Sequence, residues 1–326
     1  MKDLATTAAQ TQFDHDSAAE ARARQDSLTK PQGSLGRLEE LALFMAGWRA
    51  TPRPRIDRAQ LVVFAGNHGV CAQGVNPFPQ EVTALMVQNF RSGGAAVNQL
   101  ARVAGATLSV VALDLDRPTA DFTQGPAMTA AERDDAMAQG AAAVDPAADV
   151  LALGEMGIGN STVSAALCLA LFGGRAEDWT GAGTGAEGDT MARKIAAVAT
   201  GAARHQGLAP LDLLAAIGGR EQAAICGAIL AARASRIPVL LDGFICCAAA
   251  AVLHAQDPAL LDHCLIAHAS AEPGHAPLVR QLGKRPLLSL DMRLGEGSGA
   301  AVALSLLRHA VAMHDGMATF AEAGIA

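Results

Sequence analysis

From Gln60 onward the chain alternates short apolar runs with longer amphipathic segments of helical periodicity, and this alternation confines it to a parallel sheet wrapped by helices. The runs that read as strands cover residues 61–65, 108–113, 150–153, 213–217, 239–241, 265–267 and 287–290. Several stop at polar or glycine-rich turns: Gly66-Asn67-His68-Gly69, Gly154-Glu155-Met156-Gly157, Gly218-Gly219-Arg220-Glu221 and Asp242-Gly243. In open α/β sheets the ligand crevice lies outside the carboxyl ends of the strands, so these turns are expected to converge on one rim. Ahead of the alternation, residues 16–29 carry a charged helical pattern. A second helix is expected over 34–48, with Ser34 as N-cap and Leu35, Leu38, Leu41 and Phe44 on one face. Thr51-Pro52-Arg53-Pro54-Arg55 cannot continue a helix and reads as a domain boundary.

One carboxylate stands out against this background. Arg293-Leu294-Gly295-Glu296-Gly297-Ser298-Gly299-Ala300-Ala301 places Glu296 among glycines, between the apolar run 286–291 and a helix expected over 300–313. A lone Glu in a turn is ordinarily a solvated acid, but small neighbours let a flat ligand or another backbone approach closely. Ser298 would cap the helix that follows.

The other candidate sites are also loops at strand ends. Gly157-Ile158-Gly159-Asn160-Ser161-Thr162 opens a helix running to about Phe172, where backbone N–H groups and the positive helix end make an anion site, with Asn160, Ser161 or Thr162 as caps. It reads equally as a tight turn with an ordinary N-cap. The order of its glycines is wrong for a dinucleotide fingerprint. Gly181-Ala182-Gly183-Thr184-Gly185-Ala186-Glu187-Gly188 precedes a helix bearing Arg193 and Lys194; it suits a phosphate, or it is a mobile surface loop, and it lacks the Gly-Lys-Ser/Thr ending of a P-loop. Asn67 and His68 follow the first strand, with Gln73 close behind. His68 reads as a general acid or, more in keeping with its place, a hydrogen-bonded structural residue. Asp242 would bind a ribose hydroxyl or cap the helix beginning near Phe244, and His268-Ala269-Ser270-Ala271-Glu272 would add polar groups to the same rim.

Composition excludes several classes. The 326 residues carry a formal net charge of −7, the wrong sign for a nucleic-acid partner. A hydrophobic fraction of 51% with 17% charged residues describes a soluble enzyme packed from small residues. Residues 1–6 hold no apolar signal core, so no export segment is expected. The uncharged run between Glu155 and Arg175 reads as a loop and buried helix rather than a membrane span. Five of the six cysteines lie in apolar contexts without paired spacing, which points to free thiols in a reducing cytoplasm. His263, His268 and His275 near Cys264 match no common metal spacing, so neither metal nor cofactor is expected. There is no Gly-x-Ser-x-Gly elbow to carry a nucleophile.

Four motifs in order, Lys30-Pro31-x-Gly33-Ser34-Leu35-Gly36-Arg37-Leu38-Glu39, Gly154-Glu155-Met156-Gly157-x-Gly159-Asn160-Ser161-Thr162, Val239-Leu240-Leu241-Asp242-Gly243-Phe244 and Arg293 to Ala301, resemble the nicotinate-nucleotide:dimethylbenzimidazole phosphoribosyltransferase family over nearly the whole chain. The resemblance implies an α/β fold: a Rossmann-like parallel sheet flanked by helices over 57–290, with a small helical domain from 1–56 and 291–326. It implies a cytoplasmic homodimer that moves phosphoribose from nicotinate mononucleotide to 5,6-dimethylbenzimidazole. The same resemblance makes Glu296 the catalytic base and Glu155 the second acid. It gives the turn Gly157, Gly159, Asn160, Ser161 and Thr162 to the anion and Lys194 to the phosphate; Gly183, Asn67, Gln73, Asp242, Ser270 and Leu294 complete the expected substrate contacts. Some members carry Asp-His-Gly where this chain has Asn67-His68-Gly69, so Asn67 can hydrogen-bond a base but cannot act as a further carboxylate. A nicotinamide-cofactor oxidoreductase and a non-catalytic nucleotide-binding module are the alternatives of other classes.

Overall fold

The structure, a computed structural model, describes residues 2–325. Met1 and Ala326, the outer limits of the expected terminal segments and the start of the export-signal reading, lie outside the described residues. Five strands, β1 (Ala59–Ala65), β2 (Ala106–Ala112), β3 (Val150–Met156), β4 (Val239–Leu241) and β5 (Cys264–Ile266), form one parallel sheet in the order β2-β1-β3-β4-β5. This is the expected α/β class.

Alternation along the strands divides the apolar side chains between two faces. Val62, Phe64, Leu151, Leu153, Val239 and Leu241 pack into one core with the helices Asn160–Phe172, Pro210–Ile217, Arg220–Ala234 and Phe244–Gln256. Leu61, Val63, Val150, Ala152 and Leu240 pack into the other with Arg37–Arg49, Ala96–Ala104 and Ser298–Gly316. The helices Ala130–Ala142 and Arg220–Ala234 approach closely because each sets a glycine against the other's backbone. A Cβ on Gly140 would lie 1.9 Å from the carbonyl oxygen of Ala224, and one on Gly227 would lie 1.9 Å from that of Met137.

Chain order sets the site. From β1 the chain pairs outward to β2, whereas β3 pairs β1 on its opposite edge, so the loops leaving β1 and β3 diverge. Such a switch point opens a crevice at the carboxyl ends of the strands.

Two expected strands are different. Residues 213–217 lie in the helix Pro210–Ile217, which Pro210 opens at its first turn; a short apolar run has no period long enough to separate a buried strand from a buried helix, and proline pre-set at that position favours the helix. Residues 287–290 touch the sheet through a single parallel bridge between Leu288 and His268. Ser34 is not an N-cap either, because the helix begins at Arg37 after Gly36. Glu39 closes the preceding turn instead, accepting from the Leu35 N–H at 3.0 Å and pairing with Lys30 at 2.8 Å.

The chain ends meet: Arg24 donates to the carbonyls of His314 and Met317, both at 2.9 Å, and Arg53 pairs with Asp315 at 2.7 Å. This terminal layer shares its core with the sheet, since Leu41, Met45, Leu304 and Leu307 pack in one cluster with Leu61 and Val63. No helix among the described residues is long and apolar enough to cross a membrane.

Candidate active site

Strand β3 carries Glu155 to the rim in register with Phe64 of β1. There the Asn160 side-chain amide donates to Glu155 Oε2. Burial raises the Glu155 carboxyl to about 8, with the charges of Asp242, Glu221 and Glu296 adding to the shift. The next residues turn through Gly159 in the left-handed region, φ 95°, into the helix Asn160–Phe172, whose N-cap Gly159 offers no side-chain cap. Asn160, Ser161 and Thr162 therefore stand in the first helical turn rather than acting as caps.

Opposite, Gly295, Glu296 and Gly297 occupy three successive left-handed positions, φ 80°, 63° and 80°. For a residue with a Cβ this conformation costs about 1–2 kcal/mol, and backbone held this way is over-determined by its surroundings. Those surroundings come from β3: a Cβ on Gly154 would lie 2.5 Å from the Gly297 nitrogen, so bare backbone is what lets the turn lie against the strand. Asp242 at the end of β4 holds the turn, accepting from Gly297 N–H at 3.1 Å and Ala300 N–H at 2.8 Å. The Asp242 carboxyl is itself raised by burial, while His268 and those N–H groups favour its charged form. Glu296, 8% exposed, is raised to about 7, first by burial and then by the Asp242 charge.

The third element is the helix Gly188–Arg204, which buries Lys194 to 2% exposure and points its Nζ at Ser161 Oγ, 2.8 Å away. Burial lowers Lys194 to about 8. Arg293, at the mouth, donates to the Gly183 carbonyl at 3.1 Å. Together these elements enclose a cavity of about 530 Å³, a volume suited to a small-molecule substrate.

Glu296, Glu155, Gly157, Gly159, Asn160 and Ser161 all line that cavity, as do Gly183, Lys194, Ser270 and Leu294. Four expected contacts do not. Asn67 is buried and donates to the Leu115 carbonyl at 3.0 Å, and Gln73 is turned to Asp121 and Thr123 at 2.6 and 3.3 Å. Thr162 points into the protein at 1% exposure. Asp242 lies behind the Glu296 turn and holds backbone, neither a ribose nor the helix at Phe244. A polar group that enters the interior ordinarily finds a partner, and Asn67, Gln73 and Asp242 found theirs in neighbouring segments. Ser298 likewise does not cap the last helix but donates to the Gly295 carbonyl at 2.7 Å. His68 is fully buried, 3.2 Å from Glu221 and behind Gly157, and does not itself line the cavity. His268 and Glu272 join Ser270 in the wall; their alternate positions in the loop after β5 are the signal that groups them. All six cysteines are free, five of them buried. Among the described residues no cluster of His, Cys, Asp and Glu is arranged to hold a metal ion.

A parallel sheet whose strand ends gather a helix N-terminus, a buried lysine and two raised carboxyls around one cavity has the architecture of an α/β enzyme. Residues 11–325 match the family model described as phosphoribosyltransferase. Similar proteins are the nicotinate-nucleotide–dimethylbenzimidazole phosphoribosyltransferases of Rhodobacter capsulatus, 63% identical over 96% of this chain and 93% of the relative, and of Ruegeria pomeroyi, 61% identical over 95% and 93%. The crystal structure of CobT from Thermus thermophilus superposes with a TM-score of 0.89 at 43% identity, over 95% of this chain and 99% of that one. The chain belongs to the nicotinate-nucleotide:dimethylbenzimidazole phosphoribosyltransferase family.

Proposed function

We propose that the protein transfers phosphoribose from nicotinate mononucleotide to 5,6-dimethylbenzimidazole or a related base, releasing nicotinate and forming the α-ribazole 5′-phosphate used for the lower ligand of cobalamin. The observation that carries this reading is that one cavity is lined at once by Glu296, whose carboxyl is raised to about 7, and by the Lys194–Ser161 pair beside a helix N-terminus.

The chemistry asks little of the protein. The nicotinate ring nitrogen of the donor is already a pyridinium, so cleaving its glycosidic bond releases a neutral pyridine and needs no general acid, unlike glycoside hydrolysis with its pair of carboxyls. Glu296 accepts the benzimidazole N–H as the ring's other nitrogen attacks the anomeric carbon. The new C–N bond forms on the face opposite the leaving nicotinate, a single displacement with inversion. Glu155, raised to about 8 and hydrogen-bonded by the Asn160 amide, keeps its proton at neutral pH, so that its charge does not meet that of Glu296. Lys194, Ser161 and the turn Gly157 to Asn160 hold the phosphate and fix the anomeric carbon for attack.

In this reading residues 1–56 with 291–326 form the helical unit that delivers Glu296 to the α/β unit 57–290, and the working protein is a cytoplasmic homodimer. The buried free thiols accord with a reducing compartment, and sedimentation of the purified protein tests the dimer.

The deciding experiment incubates the protein with both substrates and separates the products by chromatography. Release of free nicotinate with appearance of the ribazole phosphate is expected; nucleotide binding without nicotinate release would mean a binding module. Glu296→Gln is expected to lower turnover by about 10²- to 10⁴-fold, the usual worth of a general base, and full turnover by a folded variant removes Glu296 from that role.

A further inference from the structure

The loop after β5 presents His268, Ser270 and Glu272 to the cavity at alternate positions. Glu272 is the one carboxyl of the three. It is 8% exposed, and its Oε2 is buried without a hydrogen-bond partner. Its own backbone N–H lies 3.3 Å from Ser270 Oγ, which orients the loop but leaves the carboxyl unengaged. A Cβ on Gly181 would lie 2.0 Å from Oε2, so bare backbone is what lets the Gly181 turn lie against this oxygen. The charge of Glu272 also acts on Lys194, which places it within electrostatic reach of the phosphate end.

A buried carboxyl oxygen without a donor carries a desolvation cost that a ligand can relieve only by bringing a donor. The phosphate brings acceptors and like charge. The pyridinium ring of the donor has no N–H, and the benzimidazole N–H is the proton given to Glu296. The only donors left on a phosphoribosyl group are its ribose hydroxyls. We infer that Glu272 is a specificity-determining residue that accepts a hydrogen bond from a ribose hydroxyl and so selects ribonucleotides over their deoxy counterparts. The inference rests on the proposed function and names which part of the donor this wall reads.

The test compares kcat/KM for nicotinate mononucleotide and its 2′-deoxy and 3′-deoxy counterparts in the wild type, Glu272→Ala and Glu272→Gln. The wild type is expected to lose roughly 10- to 100-fold on at least one deoxy sugar, the worth of a hydrogen bond to a charged group. Glu272→Ala is expected to lose a similar factor on the ribonucleotide and to treat both sugars alike, with Glu272→Gln between the two. Wild-type indifference to the sugar overturns the inference, and so does unchanged selectivity in Glu272→Ala. Should that variant fail to fold, selectivity undiminished in Glu272→Gln overturns it as well. If the wild type releases no nicotinate from the ribonucleotide, the proposed function is what fails; calorimetric affinities for the same nucleotides then read the Glu272 contact, and equal affinities for ribo and deoxy sugars overturn it.

Discussion

The carboxylate of Asp242 accepts a hydrogen bond from the N–H of Ala300 at 2.8 Å, 58 residues further along the chain. Strand β4 thereby caps the last helix, and the cap is charged where the helix end is positive. Because Gly297 donates to the same carboxylate, the bond fixes the turn that carries Glu296. A structural anchor and the carboxyl proposed as base are coupled through one residue.

Asp242→Asn tests that coupling. The amide loses one charge-assisted acceptor, which is expected to cost about 1–3 kcal/mol of stability, read from urea unfolding. Removing the charge also removes one of the two causes that raise Glu296, so the acidic limb of the pH–rate profile should move to lower pH. A limb that stays in place would show that burial alone sets the Glu296 carboxyl.

The pH dependence of kcat/KM follows from two groups. Glu296, at about 7, must lose its proton to act as base, and Lys194, at about 8, must keep its proton to hold phosphate. The profile should be a narrow bell that rises through about 7 and falls above about 8. Stability should run differently. Glu155 and Glu296 are raised above the ordinary carboxyl range, so their contribution is fully present below that range and is lost as pH rises through about 7 and about 8. The urea midpoint should therefore decline across this window, and a flat midpoint would contradict the raised carboxyls.

Lys194→Ala removes the ammonium that lies 2.8 Å from Ser161 Oγ. The KM for the nucleotide should rise by roughly 10- to 100-fold, with a smaller change in kcat. An unchanged KM takes Lys194 out of the phosphate site.

Gly227→Ala sets two effects against each other. Alanine in a helix interior gains about 1 kcal/mol over glycine, but here its Cβ would lie 1.9 Å from the Met137 carbonyl oxygen. That neighbour is backbone and cannot rotate aside, so the helices must separate, at about 1–3 kcal/mol or more. The clash should win, and denaturant unfolding should show net destabilisation.

The parallel sheet was legible because alternation of apolar runs with amphipathic segments is a local property, as was the glycine frame of Glu296, where adjacent residues set the backbone. The run 213–217 was not legible from its own residues, since a few apolar residues suit either a buried strand or a buried helix; the helix is set by Pro210 ahead of the run and by packing against Asn160–Phe172 and Phe244–Gln256. Within the rim, position along the chain put Glu155, Ser161, Lys194 and Glu296 beside one cavity, but it could not say where Asn67, Gln73 and Asp242 would turn. A buried polar side chain must take a partner, and its partner comes from whichever element the fold brings alongside: Leu115 for Asn67, Asp121 for Gln73, the Ala300 N–H for Asp242. The sequence by itself determined the turns and the side chains they can display; which of those face substrate and which hold the protein together was decided only when distant segments met and water was removed.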